Sequence, residues 1–227
     1  MQEEIHPWNW YIPFDAKAVV IGTFPPARRV WSFDFFYPNK NNYFWKIIAR
    51  IAGRTLHYYF GEEAVNERKE LLDHLKLGVS DMGQTIRRKT DSSLDQNLEI
   101  VKYMDIFKLL QENSSVRKLI FTSSSGKSSA IGWFKEYLLL YQIPFKIPQG
   151  KRPLRTTITI HGKLLEIVLL YSTSPRAGAA VSFDVLTELY ANEITEYLCK
   201  VKKNNYLCAI YKQNDMEEQL KFGEWFF

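Results

Sequence analysis

The sequence predicts an α/β fold in which helices cover both faces of a mostly parallel sheet, that is, a three-layer α/β/α arrangement. Ala16–Gly22 and the segment LLEIVLLY are continuous apolar runs of strand length, as expected for strands buried on both faces. VRKLIFTSSSGKSSAIGWFKEYLLLY has the pattern of a strand, a Ser/Gly loop and a helix, which makes a βα unit. No repeat or linker divides the 227 residues. We therefore expect one domain (1–227), with a core at about 16–203 and a C-terminal tail at 204–227.

The first half of the chain predicts one strand and three helices. The strand Ala16–Gly22 is followed by a long loop, Thr23–Asn41. A helix begins at Asn42, because apolar residues then recur at the spacing of one helical face (Phe44, Ile47, Ile48 and Ile51). Glu62–Leu75 is a second amphipathic helix, LGVSDMGQTIRRKTDSSLDQN is predicted to be irregular, and Tyr103–Glu112 is predicted to hold a short helix.

The second half continues with the βα unit and then predicts more strands and a long helix. IPFKIP is interpreted as a short strand. TTITIHGKLLEIVLLY is typical of two strands around a turn at His161-Gly162. The loop STSPRAGAA then precedes a helix that begins at about Ser182.

Composition excludes several classes of function. The two cysteines are too few for an iron–sulfur cluster or a Cys-rich zinc site, and the four histidines have no metal-ligand spacing, so we expect no metal and no cofactor. MQEEIHPWNW lacks the pattern of a signal peptide, and no apolar run approaches the length of a membrane span. We expect an intracellular, cytoplasmic protein without a membrane partner. The net charge of +5 is compatible with a polyanionic partner but serves solubility equally well.

The functional residues are expected in loops that follow strands, because parallel sheets carry their sites beyond the carboxyl ends of their strands. In the first loop, Phe24, Phe36 and Tyr37 precede or flank the asparagine-rich segment PNKNN. Aromatic rings can stack on a planar heterocycle while asparagine amides read its edge by hydrogen bonds. The alternative is structural: Asn42 would be only a helix N-cap, and Phe36 and Tyr37 would anchor the loop in the core.

Two further loops could hold phosphate. The small hydroxyl residues of Ser172–Ala180 would let a phosphate backbone approach, and Arg176 could pair with it, although an ordinary Ser-Pro turn explains the same residues. Ser123–Gly126 is not a P-loop, because Phe121 stands where that motif requires glycine. Lys127 and free amides at the following helix N-terminus could still hold one phosphate, and a solvated capping loop is an equal alternative.

Other candidates carry less information. Asp34 and Asp81 are interpreted as loop residues that could serve as acids of a pocket, but an exposed aspartate usually has no such role. The basic run Arg87-Arg88-Lys89 could contact nucleic acid or form a solvated surface. The Gly-x-Ser-x-Gly motif of serine hydrolases is missing from the sequence.

As an ordered set, these segments resemble the uracil-DNA glycosylase superfamily, in particular its mismatch-specific and hypoxanthine-DNA glycosylase-like branch. The branch has Gly-Ser-Phe-Pro where this chain has Gly22–Pro25, and Tyr-Tyr-x-His-Pro-Arg-Asn-x-Phe-Trp where it has Phe36–Trp45. Its Gly-Leu-x-Asp resembles Gly78–Asp81, and its Ser-Leu-Asp resembles Ser93–Asp95. Its Ser-Thr-Ser-Pro-Ala resembles Ser172–Pro175. The resemblance spans most of the chain and implies a uracil-DNA glycosylase-like fold.

The resemblance also implies roles for individual residues. Phe24 would stack on a flipped base, with the backbone amides of Thr23 and Phe24 near the base carbonyls. Asn42 matches the catalytic asparagine, which positions a water molecule or reads the base. The loop Ser172–Pro175, which comprises Ser172, Thr173, Ser174 and Pro175, would press on the DNA backbone. Arg176 would fill the gap left in the duplex.

Further positions complete the expected contact surface. Gly22 would line the base, Phe36 and Tyr37 would form a wall, and Lys127 would contact DNA. Asn39 stands where the branch has His, and its neighbours Lys40 and Asn41 also depart from the pattern, so these positions leave the identity of the base open.

We therefore expect a monofunctional DNA glycosylase of base-excision repair, working as a monomer on DNA that contains a damaged or mismatched base. It would use water, and no metal, to remove uracil or hypoxanthine. Two alternatives remain: a non-catalytic nucleic-acid-binding member of the same fold, and a small-molecule nucleotide-binding protein that uses the loop before Lys127.

Overall fold

A computed structural model describes residues 3–90, 94–122, 126–174 and 181–201, with side chains described as far as 196. Five strands form the main sheet, in the order β3 (Leu77–Asp81), β2 (Ala18–Gly22), β6 (Lys118–Phe121), β8 (Lys163–Leu169) and β7 (Leu154–Ile160). Neighbouring strands are parallel except for β7, which pairs with β8 as an antiparallel hairpin. The predicted mostly parallel sheet is therefore confirmed.

Helices lie against both faces of this sheet. The helices are α1 (Phe44–Ile51), α2 (Gly61–Leu75), α3 (Ile106–Glu112), α4 (Ala130–Leu140) and α5 (Phe183–Val201). Side chains along β2 alternate between two apolar clusters, because successive strand residues point to opposite faces. Ala18 and Val20 pack with α1, α2 and α5, whereas Val19 and Ile21 pack with α3 and α4. This arrangement is compatible with three α/β/α layers.

A second, smaller sheet lies beside the first loop. It is antiparallel and has the order β1 (Glu3–Ile5), β4 (Gly83–Arg88) and β5 (Leu98–Tyr103). Backbone hydrogen bonds join it to the end of β2, since the amides of Met82 and Gly83 donate to the carbonyls of Gly22 and Thr23 over 3.0 Å each. The small sheet therefore continues the main sheet beyond the carboxyl end of β3.

The structure corrects two predictions about local structure. The stretch predicted to be irregular after α2 contains the whole of β3 and β4, and all five residues of β3 are buried. Glycine and polar residues interrupt the apolar pattern of β3, so the sequence does not identify this segment as a buried strand. Its pairing with β2 in the structure does. IPFKIP forms no strand in the described coordinates.

Several local predictions are confirmed. Gly53, just beyond α1, has a positive φ of 65°, a conformation that suits glycine and ends the helix. His161 and Gly162 have φ values of 50° and 76°, as expected for the tight turn between β7 and β8. Among the described helices, none combines the length and the apolar character needed to cross a lipid bilayer.

Candidate functional site

The carboxyl ends of β2, β3 and β6 lie side by side, because these strands are parallel neighbours in the main sheet. Gly22 pairs with Asp81 across β2 and β3, and Thr122 directly follows β6. The loop after β8 joins them, because the amide of Tyr43 donates to the carbonyl of Thr173 over 3.0 Å. The first and third predicted loops therefore meet at one edge of the sheet, which we call the strand-end cleft (Gly22, Thr23, Tyr37, Asp81 and Asp95).

A buried hydrogen bond between His6 and Asp81 forms one side of this cleft. Nε2 of His6 lies 3.0 Å from Oδ2 of Asp81, and Nδ1 lies 2.6 Å from the carbonyl oxygen of Trp8. Asp81 is the last residue of β3 and is only 6% exposed, so the interpretation of Asp81 as an exposed loop residue is wrong. A Cβ atom at Gly22 would lie 2.1 Å from Oδ1 of Asp81. Only glycine at this position admits the carboxylate.

Tyr37 reaches the same place from the first loop. Its hydroxyl lies 3.0 Å from Oγ1 of Thr122, and its ring stacks on Phe44 with 3.9 Å between centroids. Its backbone has a positive φ of 50°, which is uncommon for a bulky residue and turns the chain into the cleft. Burial, followed by the negative charge of Asp81, raises the pKa of the Tyr37 hydroxyl, so it stays protonated and can donate a hydrogen bond.

Asp95 adds a second carboxyl group to the cleft. The hydroxyl of Thr23 donates to Oδ2 of Asp95 over 2.9 Å, which joins the end of β2 to the segment before β5. Burial raises the pKa of Asp95 to about 6; the nearby charge of Asp81 acts in the same direction, whereas Thr23 and Arg88 oppose it. Two carboxyl groups with different environments thus face one small space.

The raised pKa of Asp95 predicts a specific dependence of stability on pH. Because the folded state binds this proton more tightly than the unfolded state, its contribution to stability is present below pH 4 and is lost as pH rises through 6. A change from 3.8 to about 6 corresponds to on the order of 2–3 kcal/mol. Asp95→Asn should therefore raise the free energy of unfolding relative to wild type at pH 7.5 and have little effect at pH 4. Urea unfolding at both values tests this, and an equal effect at both would contradict it.

Asn42 lies one residue before the N-cap position of α1, which is Tyr43, so the helix begins later than predicted. Oδ1 of Asn42 still accepts the amide of Phe44 over 2.9 Å and satisfies one amide at the start of the helix, as the structural alternative expects. Its own backbone amide donates to the carbonyl of Asn39 over 2.9 Å. Across the described part of the chain, its Nδ2 group makes no hydrogen bond. The bond from the amide of Phe44 to Oδ1 fixes the orientation of the side chain.

The aromatic residues of the first loop have different placements. Phe24 is partly buried, and the ring of His6 meets it edge-on at 5.3 Å between centroids. Phe36 is buried among His6, Trp8 and Phe35, as the loop-anchoring alternative describes. Phe24 is thus a partly exposed ring, whereas Phe36 belongs to the core, and the ring of His6 contacts both.

The remaining predicted contact residues that the structure describes take part in turns or are exposed. Oδ1 of Asn39 accepts the amide of Asn41 over 2.9 Å, which shapes the turn before α1. Ser172 accepts the amide of Ser174 over 3.2 Å, and Thr173 between them is buried. Lys127 is exposed, whereas Ser129 caps α4 by accepting the amide of Gly132 over 3.1 Å. Pro175, Arg176 and residues 123–125 lie outside the described residues.

Two charged candidates from the sequence, Asp34 and the basic run at Arg87-Arg88, form ion pairs with other side chains. Asp34 is exposed and pairs with Arg28 over 3.0 Å. Within the basic run, Arg87 pairs with Glu3, and Arg88 makes two hydrogen bonds to Glu4 and one to the carbonyl of Pro25. These arginines hold the small sheet against the first loop.

One group of carboxylates has the spacing of a cation site, but an ammonium group already lies there. In the described coordinates, ligand oxygens of Glu166, Glu193 and Glu196 lie within 4.8 Å of one another. Nζ of Lys118 lies 3.3, 2.9 and 2.7 Å from these three side chains, respectively. Lys118 begins β6, at the edge of the sheet opposite the cleft, so this group stabilises the fold and is not a metal site.

Local sequence patterns give little indication that His6 and Asp95 belong to the site. His6 lies in a segment outside the family resemblance, and Asp95 was singled out only through a three-residue motif. No model of a known protein family matches the chain, and no curated protein has a significantly similar sequence. The site is therefore interpreted from its own geometry and from the resemblance of its motifs.

Proposed function

We propose that the chain is a monofunctional DNA glycosylase of the uracil-DNA glycosylase superfamily, with the fold of that superfamily. It hydrolyses the N-glycosidic bond of a flipped deaminated base, uracil or hypoxanthine, in DNA within the cytoplasm. The observation that carries this proposal is the position of Asn42. Among the described residues its Nδ2 group makes no hydrogen bond, and its neighbour Tyr43 donates its backbone amide to Thr173 of the loop after β8. The five matching motifs come from separate parts of the chain, and each of them has described residues at this edge.

The chemistry suits these groups. The base departs as an anion from a sugar with oxocarbenium character, so fixed hydrogen-bond donors near the base lower the barrier. Nδ2 of Asn42 is such a donor, and its orientation is fixed by the bond from Oδ1 to the amide of Phe44. Phe24 offers a ring face on which a flipped base can stack. Flipping costs a few kcal/mol, least for mismatched pairs, so damaged pairs open preferentially.

A non-catalytic nucleic-acid-binding protein is the second candidate. It is favoured by the use of the Asn42 oxygen as a helix cap, which a purely structural asparagine would also show. The two candidates predict the same DNA contacts and differ only in bond cleavage.

One assay tests the proposal. End-labelled duplexes that contain uracil, hypoxanthine or xanthine are incubated with an excess of protein and then treated with alkali, which cleaves DNA at abasic sites. We expect strand cleavage at uracil or hypoxanthine and none in the undamaged control duplex. If none of the lesions yields cleavage while the protein still binds the duplexes, the glycosylase proposal fails and the binding protein remains.

A further inference from the structure

We infer that Asp81 recognises the bound base through its free carboxylate oxygen, and that His6 positions this carboxylate. The inference rests on the proposed function, because it concerns the same cleft. It gives His6 and Asp81, whose hydrogen bond joins the N-terminal segment to the end of β3, a role in recognising the base.

The two oxygens of Asp81 have different surroundings. Oδ2 is held by Nε2 of His6 at 3.0 Å. Oδ1 accepts no hydrogen bond from any described residue, although the side chain is only 9% exposed. Oδ1 keeps access to solvent, so water or a bound ligand can donate a hydrogen bond to it.

Oδ1 also points to the place where the base is proposed to bind. It lies over Gly22, where a Cβ atom would come within 2.1 Å of it and within 3.3 Å of the Tyr37 hydroxyl oxygen. Gly22 immediately precedes Thr23 and Phe24, the residues whose backbone and ring are proposed to contact the base. The acceptor therefore lies at the floor of the strand-end cleft.

His6 acts on the base only through Asp81. Its side chain is fully buried, with Phe24, Trp8 and Phe36 around its ring. Its second ring nitrogen is engaged with the carbonyl oxygen of Trp8 at 2.6 Å. Both ring nitrogens are thus occupied, which fixes the ring and the carboxylate that it holds. His6 is a positioning residue.

The chemistry of a carboxylate limits the class of base. An ionised carboxylate only accepts hydrogen bonds, so Oδ1 selects a heterocycle that presents an N–H group. Uracil and hypoxanthine both carry a ring N–H beside a carbonyl group, whereas the corresponding ring nitrogens of cytosine and adenine carry no hydrogen. A buried acceptor left without a donor penalises the wrong ligand strongly.

The test compares bases that differ only in this N–H group. Duplexes carry 2′-fluoro-2′-deoxyuridine, which resists cleavage, or its 3-methyl derivative, and a second pair carries hypoxanthine and 1-methylhypoxanthine in the same 2′-fluoro sugar. Equilibrium binding is measured for wild type, Asp81→Ala, Asp81→Asn, His6→Ala and His6→Gln. Asp34→Asn is the matched control, because Asp34 is an exposed aspartate of the first loop that pairs only with the exposed Arg28 among the described residues.

We expect wild type and the control to prefer the unmethylated base by roughly 100-fold. Asp81→Ala should reduce this ratio to a few-fold. Asp81→Asn should do the same, because His6 would hold the amide oxygen and direct an NH₂ donor to the base. His6→Ala should reduce the ratio about tenfold, and His6→Gln should restore most of it, since its amide can donate to Oδ2.

The outcomes separate the two proposals. An unchanged ratio in folded Asp81 variants, verified by thermal unfolding, would overturn the inference, as would a wild type without any preference. If the ratio depends on Asp81 but the cleavable duplexes stay intact, the glycosylase proposal fails and the inference stands. If uracil or hypoxanthine is excised while the binding preference for the unmethylated base is the same in wild type and in the Asp81 variants, the inference fails and the proposed function stands.

Discussion

Asn42→Ala is expected to reduce base excision by about 100- to 1,000-fold, the usual effect of removing one aligned hydrogen-bond donor from a catalytic site. The same substitution also removes the oxygen that accepts the amide of Phe44 at the start of α1. Loss of that cap should lower the free energy of unfolding by about 1 kcal/mol. Single-turnover excision and urea unfolding measure the two effects separately.

Asn42→Asp separates the catalytic role from the structural one. Aspartate caps helices as well as asparagine does, so stability should stay within about 0.5 kcal/mol of wild type. It lacks the amide donor, however, and its negative charge opposes the departure of an anionic base. We therefore expect Asn42→Asp to be folded and at least as inactive as Asn42→Ala.

Asn41→Ala is the matched control for both variants. Asn41 is the exposed neighbour of Asn42, and only its backbone amide takes part in the turn, donating to Asn39. Its substitution should change excision by less than a few-fold. If Asn42→Asp kept wild-type activity, the proposed donor role of Asn42 would be wrong and its cap would be its whole function.

Lys118→Met is expected to destabilise the fold by about 3–5 kcal/mol, because it removes the buried positive charge that three carboxylates share. The buried one of the three, Glu193, then keeps only Arg155 as a partner among the described residues. Nζ of Lys118 is fully buried and is shared by Glu166, Glu193 and Glu196. Burial alone would lower the pKa of Lys118, but hydrogen bonds to Glu196 and Glu193 raise it above its ordinary value. This ammonium group therefore joins β6 and β8 to α5 while remaining charged.

Urea unfolding at pH 7.5 measures this effect, with Lys17→Met as the control. Lys17 pairs with Asp15 near the surface, where such pairs contribute about 0–1 kcal/mol. Adding Glu193→Gln to Lys118→Met should recover part of the lost stability, since it removes one uncompensated charge. At low temperature, folded Lys118→Met should still excise bases, because Lys118 lies at the opposite edge of the sheet. A loss of stability below about 1 kcal/mol would contradict the role assigned to the cluster.

Much of the secondary structure followed from local patterns. The buried strand β2, the apolar face of α1 and the turn at His161-Gly162 each depend on residues close together in the chain, and all three are confirmed. The strand β3 was missed because LGVSD contains glycine and two polar residues. Its burial depends on pairing with β2 on one edge and with Tyr11, through a bridge to Val79, on the other.

The residues of the candidate site also fall into two groups: those that local patterns predict and those that long-range contacts bring together. Local patterns predict that Gly22 ends a buried strand and that Asn42 stands near the start of the next helix, because apolar periodicity and helix capping depend on residues close together in the chain. The hydrogen bonds of His6 to Asp81 and of Thr23 to Asp95 are visible only in the folded chain, because the partners lie 75 and 72 positions apart. Buried polar groups must find partners wherever the fold brings them together, and the cost of burying them unpaired acts in three dimensions. No local pattern of residues records that pairing.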